Sequence, residues 1–299
     1  MRSLILFFLL TLLASVKGQS DLLFNNFNIN SIAHNPAAIE NNGLVNCYLG
    51  AHQQWIGFQD APNMQWVHVS TFFDRQNMGV SLNVSNQSEG VALTQNIKLG
   101  YAYHVLFKGG HQLSLGLGAG VYFRRIDYSK LHFAEEEQGI PVSTENILRP
   151  DFDFGFEYHY HQLTAGAVAT HITVANKNAS LAKIPIQNHF YIRYSLDAGK
   201  EITLVPGLGY FASGKISTLS LEADMEYRKL FQVGVSYRTQ QSLIIRAGIL
   251  LSEVWEIKYA YDLGAGSFAT YHTGIHEFVV VARFARRNSA LNSPRFIDN

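Results

Sequence analysis

Residues 111–124 read His-Gln-Leu-Ser-Leu-Gly-Leu-Gly-Ala-Gly-Val-Tyr-Phe-Arg and alternate apolar residues with small or polar ones. Successive side chains of a β-strand point to opposite faces, so this strand has one continuously apolar face and one small or polar face. An alternating strand of about ten residues can span a bilayer when tilted, with lipid on one side and a polar lumen on the other. The same alternation also fits a β-sandwich, so the rest of the chain must decide.

The alternation continues through most of the chain after Gly43 and breaks only at clusters of turn-forming residues. It predicts about fourteen strands, an even number, as in bacterial barrels made of one chain. The predicted strands cover residues 44–55, 63–74, 77–86, 91–106, 110–130, 149–161, 162–174, 187–197, 201–212, 216–227, 230–239, 241–251, 254–263 and 274–284.

The lengths of the connections favour a membrane barrel over a secreted sandwich. Even-numbered connections are predicted to be short, as at residues 74–77 and 107–110, whereas the longest odd-numbered ones cover 132–148, 175–186 and 264–273. Outer-membrane barrels have short periplasmic turns and long extracellular loops. This pattern predicts that both ends of the barrel segment lie on the periplasmic side.

Charge and composition agree with a lumen that is polar and a surface that is apolar. Only 15% of the residues are charged and 13% are aromatic, against about 25% charged in typical soluble proteins. Both signs occur on the predicted inward faces, at Lys98, Arg193, Glu222, Asp224, Glu226, Arg238, Arg246, Glu256 and Lys258. We expect crossed ion pairs there, because an unpaired ion in a dry core costs several kcal/mol. The predicted fold class is all-β: a transmembrane antiparallel β-barrel over residues 44–284.

The two ends of the chain read differently from the barrel. Residues 1–18 resemble a signal peptide, with Arg2 before a short apolar run, which predicts export and an outer-membrane location. Residues 19–43 are rich in Asn and have no sustained period, which predicts irregular backbone, either periplasmic or plug-like. We expect this segment to pack inside or beneath the barrel, because its apolar residues need cover: Phe24, Phe27, Ile29 and Ile32. Residues 285–299 are predicted to be a periplasmic tail.

No constellation of residues identifies an enzyme or a cofactor site. His159 and His161 would share a strand face, but no cysteine or close carboxylate set completes a metal shell. The chain has no G-x-S-x-G nucleophile motif. Its formal net charge is zero, which provides no footprint for nucleic acid. We therefore expect no catalytic residue, cofactor or metal, although a barrel enzyme built from distant strand residues, or calcium binding by the acidic run 135–137, stays open.

Two short stretches resemble a known family. Residues 24–37 end in Asn35-Pro36-Ala37, and residues 54–62 read Gln-Trp-Ile-Gly-Phe-Gln-Asp-Ala-Pro. Together they resemble the PorP/SprF outer-membrane proteins of the type IX secretion and gliding motility system of Bacteroidetes, which carry an N-P-A element and a Q-W-x-G-x-x-x-A-P element. The likeness spans nearly the whole mature chain and includes the Ser-Pro-Arg-Phe of the tail. The sequence departs from the family at Ala38-Ile39 and at His52.

The resemblance implies a non-enzymatic barrel that helps translocate or anchor a secreted surface protein, either an adhesin or a cargo with a type IX C-terminal domain. It also implies contact with periplasmic type IX components, and a channel or substrate-selective transporter is the alternative. The predicted partner-binding residues are Asn35, Pro36, Trp55, Gly57, Phe58 and Pro62. Local explanations stay open, since Trp55 could be an interfacial aromatic residue and Asn35-Pro36 a simple turn.

Overall fold

A closed ring of fourteen antiparallel strands forms the computed structural model, which describes residues 23–130, 144–172, 185–239, 242–264 and 274–285. The strands are β1 (Leu44–Gln54), β2 (Asn63–Phe73), β3 (Met78–Glu89), β4 (Ala92–Leu106), β5 (His111–Asp127), β6 (Thr144–Tyr160), β7 (Leu163–Thr170), β8 (Gln187–Tyr194, continued by Leu196–Ala198), β9 (Ile202–Ser213), β10 (Ile216–Tyr227), β11 (Phe231–Arg238), β12 (Ser242–Leu250), β13 (Trp255–Asp262) and β14 (Ile275–Ala285). The predicted fold class is confirmed.

Each strand pairs with the next one along the chain, and the first strand pairs with the last. β1 and β14 run antiparallel in a continuous register from Leu44 opposite Ala285 to Gln54 opposite Ile275. Among the described strands, this closure leaves no sheet edge with unpaired backbone groups. Predicted and observed strand limits agree closely, and the main differences are that β6 begins at Thr144 rather than 149 and β7 ends at Thr170 rather than 174.

The two faces of the wall separate apolar from polar side chains. On β6, Phe152, Phe154 and Phe156 point outward and are 43–49% exposed, whereas Asp151 and Asp153 point inward and are buried. An exposed apolar belt of this kind is the surface that a barrel presents to lipid. The alternation of the sequence therefore translates directly into an outer and an inner face.

The barrel has two distinct ends. The turn end is where β1 begins and β14 ends, and it carries the short connections that follow β2, β4, β6, β8, β10 and β12. Asn77, His161, Arg228 and Lys229 adopt positive φ in these turns. The loop end is opposite and includes residues 55–62. Three loop-end connections, after β3, β9 and β11, are also short, so the predicted asymmetry in length holds for only some of the connections.

A short helix precedes the first strand, where the sequence predicted irregular backbone. Helix α1 (Phe27–His34) follows Asn26, a residue type favoured at the N-cap, and ends before Asn35, because the residue before a proline avoids the helical region. An isolated helix of this length is marginal in water, so its surroundings must stabilise it. In the described part of the chain, no helix has the length and apolar character needed to cross a bilayer.

Several predictions concern residues outside the described ranges. They are the signal peptide of residues 1–18, the acidic run 135–137 and the tail after Ala285. The structure describes only the margins of the three longest predicted connections.

Candidate functional site

The lumen contains the segment that joins the N-terminus to β1. We call residues 23–43 the plug. Its first residues bond to side chains of β11, β12 and β14 in the loop half of the barrel, and its Asn35 bonds to β6 and β8 nearer the turn end. The plug thus crosses the lumen diagonally before the chain enters the wall at Leu44.

Ionic side chains hold the first residues of the plug, in the loop half of the barrel. The backbone N–H groups of Asn25 and Asn26 donate to the Glu277 carboxylate at 2.7 and 3.1 Å. Arg238 donates to the Phe24 carbonyl and, at 3.1 Å, to the Asn25 side chain. Arg246 donates to the Asn25 carbonyl at 3.3 Å. Charged partners therefore satisfy the polar backbone of a segment that has no strand or helix of its own at this point.

Aromatic packing surrounds this ionic anchor. The ring of Phe24 is only 3% exposed and lies 4.8 Å from the Trp66 ring and 5.8 Å from the His34 ring, measured between centroids. Tyr48 and Met64 belong to the same buried cluster. Burying a side chain the size of Phe contributes about 1.5–3 kcal/mol. The cover that the sequence required for Phe24 is supplied by the inner wall of the barrel.

The part of the plug nearer the turn end packs against glycines of the wall. Gly116 of β5 and Gly155 of β6 lie directly opposite each other in the ladder. A β-carbon on Gly116 would come closer than 3.0 Å to the backbone of Pro36 and Ala37, and one on Gly155 would come equally close to the Asn35 side chain. Glycine in a strand interior often marks such a close approach. The Asn-Pro-Ala turn therefore fits only because these two positions lack side chains.

Hydrogen bonds fix the orientation of Asn35. Its amide donates to the carbonyl of Phe156 at 3.1 Å and to the hydroxyl of Tyr191 at 2.9 Å, while its side-chain oxygen accepts the N–H of Ala37 at 2.9 Å. Tyr191 in turn donates to Glu157. A side-chain oxygen that accepts from the residue two positions on forms an Asx turn. The same amide group thus shapes the turn and ties it to the wall.

A buried charge cluster lies in the lumen at the loop-end side of the glycine pair. The ammonium of Lys98 is 2.7 Å from Asp151 and 2.9 Å from Asp153, and His171 lies 2.8 Å from Asp151. On the opposite wall Arg246 lies 3.0 Å from Asp224. These contacts confirm the prediction of ion pairs in the lumen at Lys98, Asp224 and Arg246, whereas the predicted inward residue Glu226 accepts from the neutral amide of Gln232. They join neighbouring or nearby strands and stiffen the wall that faces the plug.

An open cavity of about 740 Å³ remains at the turn end, between the plug and the wall. We call it the vestibule. The plug contributes its residues from Ala38 to Asn42, and the wall contributes polar side chains from β5 round to β14. The charged members are Glu40, Glu157, Arg193, Glu226, Glu256, Lys258 and Arg283. Pockets of about 300–1,000 Å³ are typical of binding sites, so the vestibule is large enough to admit a ligand or a peptide segment.

The loop between β1 and β2 presents apolar side chains at the loop end. Trp55, Ile56 and Phe58 are 39%, 49% and 54% exposed. The backbone is nonetheless ordered by hydrogen bonds, because the N–H of Trp55 donates to the carbonyl of Gly274 at 3.0 Å and that of Phe58 to the carbonyl of Trp55 at 3.1 Å. Trp55 has a φ of 46° and Gly57 a φ of 99°. The loop therefore holds exposed apolar side chains on an ordered backbone.

The family described as "Type IX secretion system membrane protein PorP/SprF" matches residues 16–281. The chain belongs to the PorP/SprF family. This membership confirms the resemblance carried by the two sequence motifs. No curated protein matches the chain.

Solved structures similar to this PorP/SprF protein are outer-membrane barrels. The toluene transporter TbuX of Ralstonia pickettii has a TM-score of 0.56 at 10% identity, over 85% of this chain and 93% of that one. Omp33 of Acinetobacter baumannii has a TM-score of 0.45 at 7% identity, over 81% and 98%. A mutant of the Rh. blastica porin has a TM-score of 0.36 at 12% identity, over 81% and 99%. At these identities the likeness to TbuX concerns the fold alone.

The structure separates the predicted partner-binding residues of this PorP/SprF chain into two groups. Asn35 and Pro36 are buried in the lumen, where they form the turn on the glycine pair. Trp55, Gly57 and Phe58 are exposed at the loop end, and Pro62 is buried where its carbonyl accepts from Gln54 at 2.9 Å. Partner binding by these residues remains a prediction.

Sequence reasoning missed the wall residues that hold the plug. Glu277, Arg238 and the pair Gly116 and Gly155 were all assigned to strands, but nothing local shows which lumen positions meet the plug. The interior glycines were the available signal. Among the described residues, no three His, Cys, Asp or Glu side chains form a group that could hold a metal ion. His159 instead lies 2.6 Å from Glu157.

Proposed function

We propose that this protein is a non-enzymatic barrel of the outer membrane that helps translocate or anchor a secreted surface protein, an adhesin or a cargo with a type IX C-terminal domain. The family match is the observation that carries the proposal. The family and the solved structures similar to this chain are secretion, transport and porin barrels rather than enzymes. Export by the signal peptide, insertion in the outer membrane and contact with periplasmic type IX components are parts of the same proposal.

The plug supports a role in which the barrel works as a scaffold. Ionic contacts at Glu277 and close backbone packing at Gly116 hold it at two separate levels of the lumen. A pore for free diffusion needs an open path, and a segment fixed in this way narrows it. The exposed Trp55, Ile56 and Phe58 support a partner at the loop end, because exposed apolar groups that cluster mark interaction surfaces.

The test of this proposal is deletion of the gene followed by quantitative proteomics of the cell surface. We expect one secreted surface protein, or a small set, to disappear from the surface and to return when the full-length gene is restored. Unchanged surface levels of every protein with a type IX C-terminal domain would overturn the proposal. Fractionation of the same cells tests the location, since the protein should sediment with outer membranes and require detergent for release.

A channel or substrate-selective transporter is the second candidate, and the open vestibule of about 740 Å³ is the observation that favours it. Planar-bilayer recording separates the two functions. A barrel that serves as a scaffold should be nearly silent while residues 23–43 are in place. Steady conductance by the intact protein, together with normal surface proteins in the deletion strain, would favour the channel.

A further inference from the structure

We propose that the vestibule is the docking site of the chain's own C-terminal tail, residues 286–299, with Arg286 and Arg287 pairing with the vestibule carboxylates Glu226 and Glu40. The tail lies outside the described residues, whereas the proposed site is wholly described. Three observations carry the proposal: where the tail begins, which charges the vestibule offers, and how far the tail can reach. The proposal is independent of the secretion role.

The tail begins at the rim of the vestibule. Ala285, the last residue of β14, pairs with Leu44 at the turn end of the barrel. Arg283, two residues earlier, lines the vestibule. Inward positions on β14 occur at Glu277, Val279 and Val281, all of which are buried, so the inward series follows the odd numbers. The inward series therefore reaches the vestibule at Arg283, just before the tail begins.

The vestibule offers two carboxylates, Glu226 and Glu40, that have no cation within ion-pair distance among the described residues. Glu256 is matched within the wall, at 2.8 Å from Lys258 and 2.9 Å from Arg283. Glu226 and Glu40 instead accept from neutral amides, those of Gln232 at 2.7 Å and Asn42 at 3.0 Å. Among the described residues, no ion pair involves either of them. Carboxylates that are partly removed from water and unpaired favour the approach of a cation.

The tail has the charge and the length to meet them. It opens with two arginines and carries a third at Arg295, against one acidic side chain at Asp298. Its 14 residues span at most about 46–50 Å when extended. The tail can therefore cross the vestibule from the Ala285 rim and still return to the opening. The segment is tethered at the edge of the site, so it occupies the vestibule at a high effective concentration without any partner.

Cross-linking within the full-length protein tests the proposal. In a Cys47→Ala background, Asn288→Cys is combined with Val205→Cys, which lines the vestibule. The matched control combines Asn288→Cys with Ser213→Cys, an inward position at the loop end of the same strand β9. A short bis-maleimide should link the Val205→Cys pair, detected by mass spectrometry of the joined peptides, and should leave the Ser213→Cys pair unlinked. Equal linkage of both pairs, or no linkage of the first, overturns the proposal.

Charge reversal tests the named contacts. Arg287→Glu should lower the yield of the vestibule cross-link several-fold, and Glu226→Arg added to Arg287→Glu should restore it. A yield that does not respond to either change overturns the pairing. The same reagent applied to intact cells tests whether another protein occupies the vestibule. Preferential linkage of Val205→Cys to another protein would assign the vestibule to that partner and not to the tail. Heat-modifiable migration on gels confirms that each variant has folded as a barrel.

Discussion

The carboxylate of Glu277 accepts the backbone N–H of Asn25 at 2.7 Å, although 252 residues separate the two in sequence. Glu277 lies on β14, the closing strand, which pairs with β13 on one side and with β1 on the other. The side chain is 1% exposed and also meets the Asn26 N–H and, at 3.2 Å, the His52 ring. Closing the barrel and seating the plug are therefore coupled, because the anchor exists only when the last strand is in place.

Glu277→Gln should loosen the plug while the barrel stays closed. The neutral amide replaces an acceptor-only carboxylate, and hydrogen bonds to a charged group contribute about 1.5–3 kcal/mol each. Loss of even one bond of this kind corresponds to about a tenfold larger open population. Hydrogen exchange followed by mass spectrometry in detergent measures this directly, since the amides of Asn25 and Asn26 should exchange about tenfold faster.

The control for Glu277→Gln is Glu201→Gln at the turn end. Glu201 pairs with Arg228 at 2.6 Å, but both side chains are about half exposed. Exposed pairs of this kind are worth about 0–1 kcal/mol. This control should leave exchange in residues 23–43 unchanged. If both variants altered the exchange of the plug equally, or if neither did, Glu277 would not be its anchor.

Gly116→Ala should unseat the Asn-Pro-Ala turn. The added methyl group meets the backbone of Pro36 and Ala37 rather than a flexible side chain, so the plug and not a rotamer must move. Overpacking of this kind costs about 1–3 kcal/mol. We expect faster exchange of residues 33–40 in the variant, with strand β5 still protected.

Gly248→Ala is the matched control for this substitution. Gly248 is also a strand glycine, and the atom nearest to an added β-carbon is the Cβ of Gln232 at 3.2 Å, so a shift of a few tenths of an ångström within the wall suffices and no plug residue is among the three nearest atoms. The plug should keep its protection in this variant. If the plug were equally protected from exchange in Gly116→Ala and in the unaltered protein, close packing at Gly116 would not be needed to seat the Asn-Pro-Ala turn.

The sequence predicted the wall of the barrel well because the wall is a local pattern. Alternation with period two, as in residues 111–124, reports which face meets lipid and which faces the lumen, and each strand carries this information independently. The predicted limits of β10, 216–227, coincide with those observed. Composition then favoured a barrel over a sandwich, and the connection lengths agreed in part, because their asymmetry holds for only some of the connections.

The site was less predictable because it depends on contacts that are distant in sequence. Asn35 was singled out by its motif, but its partners Phe156 and Tyr191 lie 121 and 156 residues away. Helix α1 was missed for a related reason, since eight residues without a sustained apolar period give no helical signal, and the lumen provides the confinement that stabilises them. Nothing in a single strand shows which of its inward residues faces a plug.

Lys98→Met should destabilise the barrel strongly. It leaves Asp151 and Asp153 without the ammonium that lies 2.7–2.9 Å from them. Removing one member of a buried ion pair costs about 3–5 kcal/mol, because an uncompensated charge remains. The thermal unfolding midpoint in detergent should fall by several degrees. As a control, Arg228→Met removes one member of the exposed pair at the turn end and should change the unfolding midpoint by less than the error of the measurement. Equal midpoints for the two variants would contradict a stabilising role for the cluster of Lys98, Asp151 and Asp153.

Phe58→Ala tests the loop-end patch and follows from the proposed secretion role. Phe58 is 54% exposed in a loop whose backbone is fixed, so the side chain should contact the partner and contribute little to folding. An aromatic residue at the centre of an interface contributes about 2 kcal/mol or more, which weakens binding about 30-fold. Surface levels of the secreted partner should fall in cells that carry this variant, whereas the level of the barrel in the membrane should not.

Phe107→Ala is the control for the patch, since Phe107 is also 54% exposed but lies in the turn between β4 and β5. Loss of either ring removes the same apolar area from the surface, so a general effect on insertion would appear in both variants. A defect confined to Phe58→Ala would locate partner binding at the loop end. Equal loss of the surface protein in both variants would instead attribute the defect to insertion, and unchanged levels in both would exclude Phe58 from the interface.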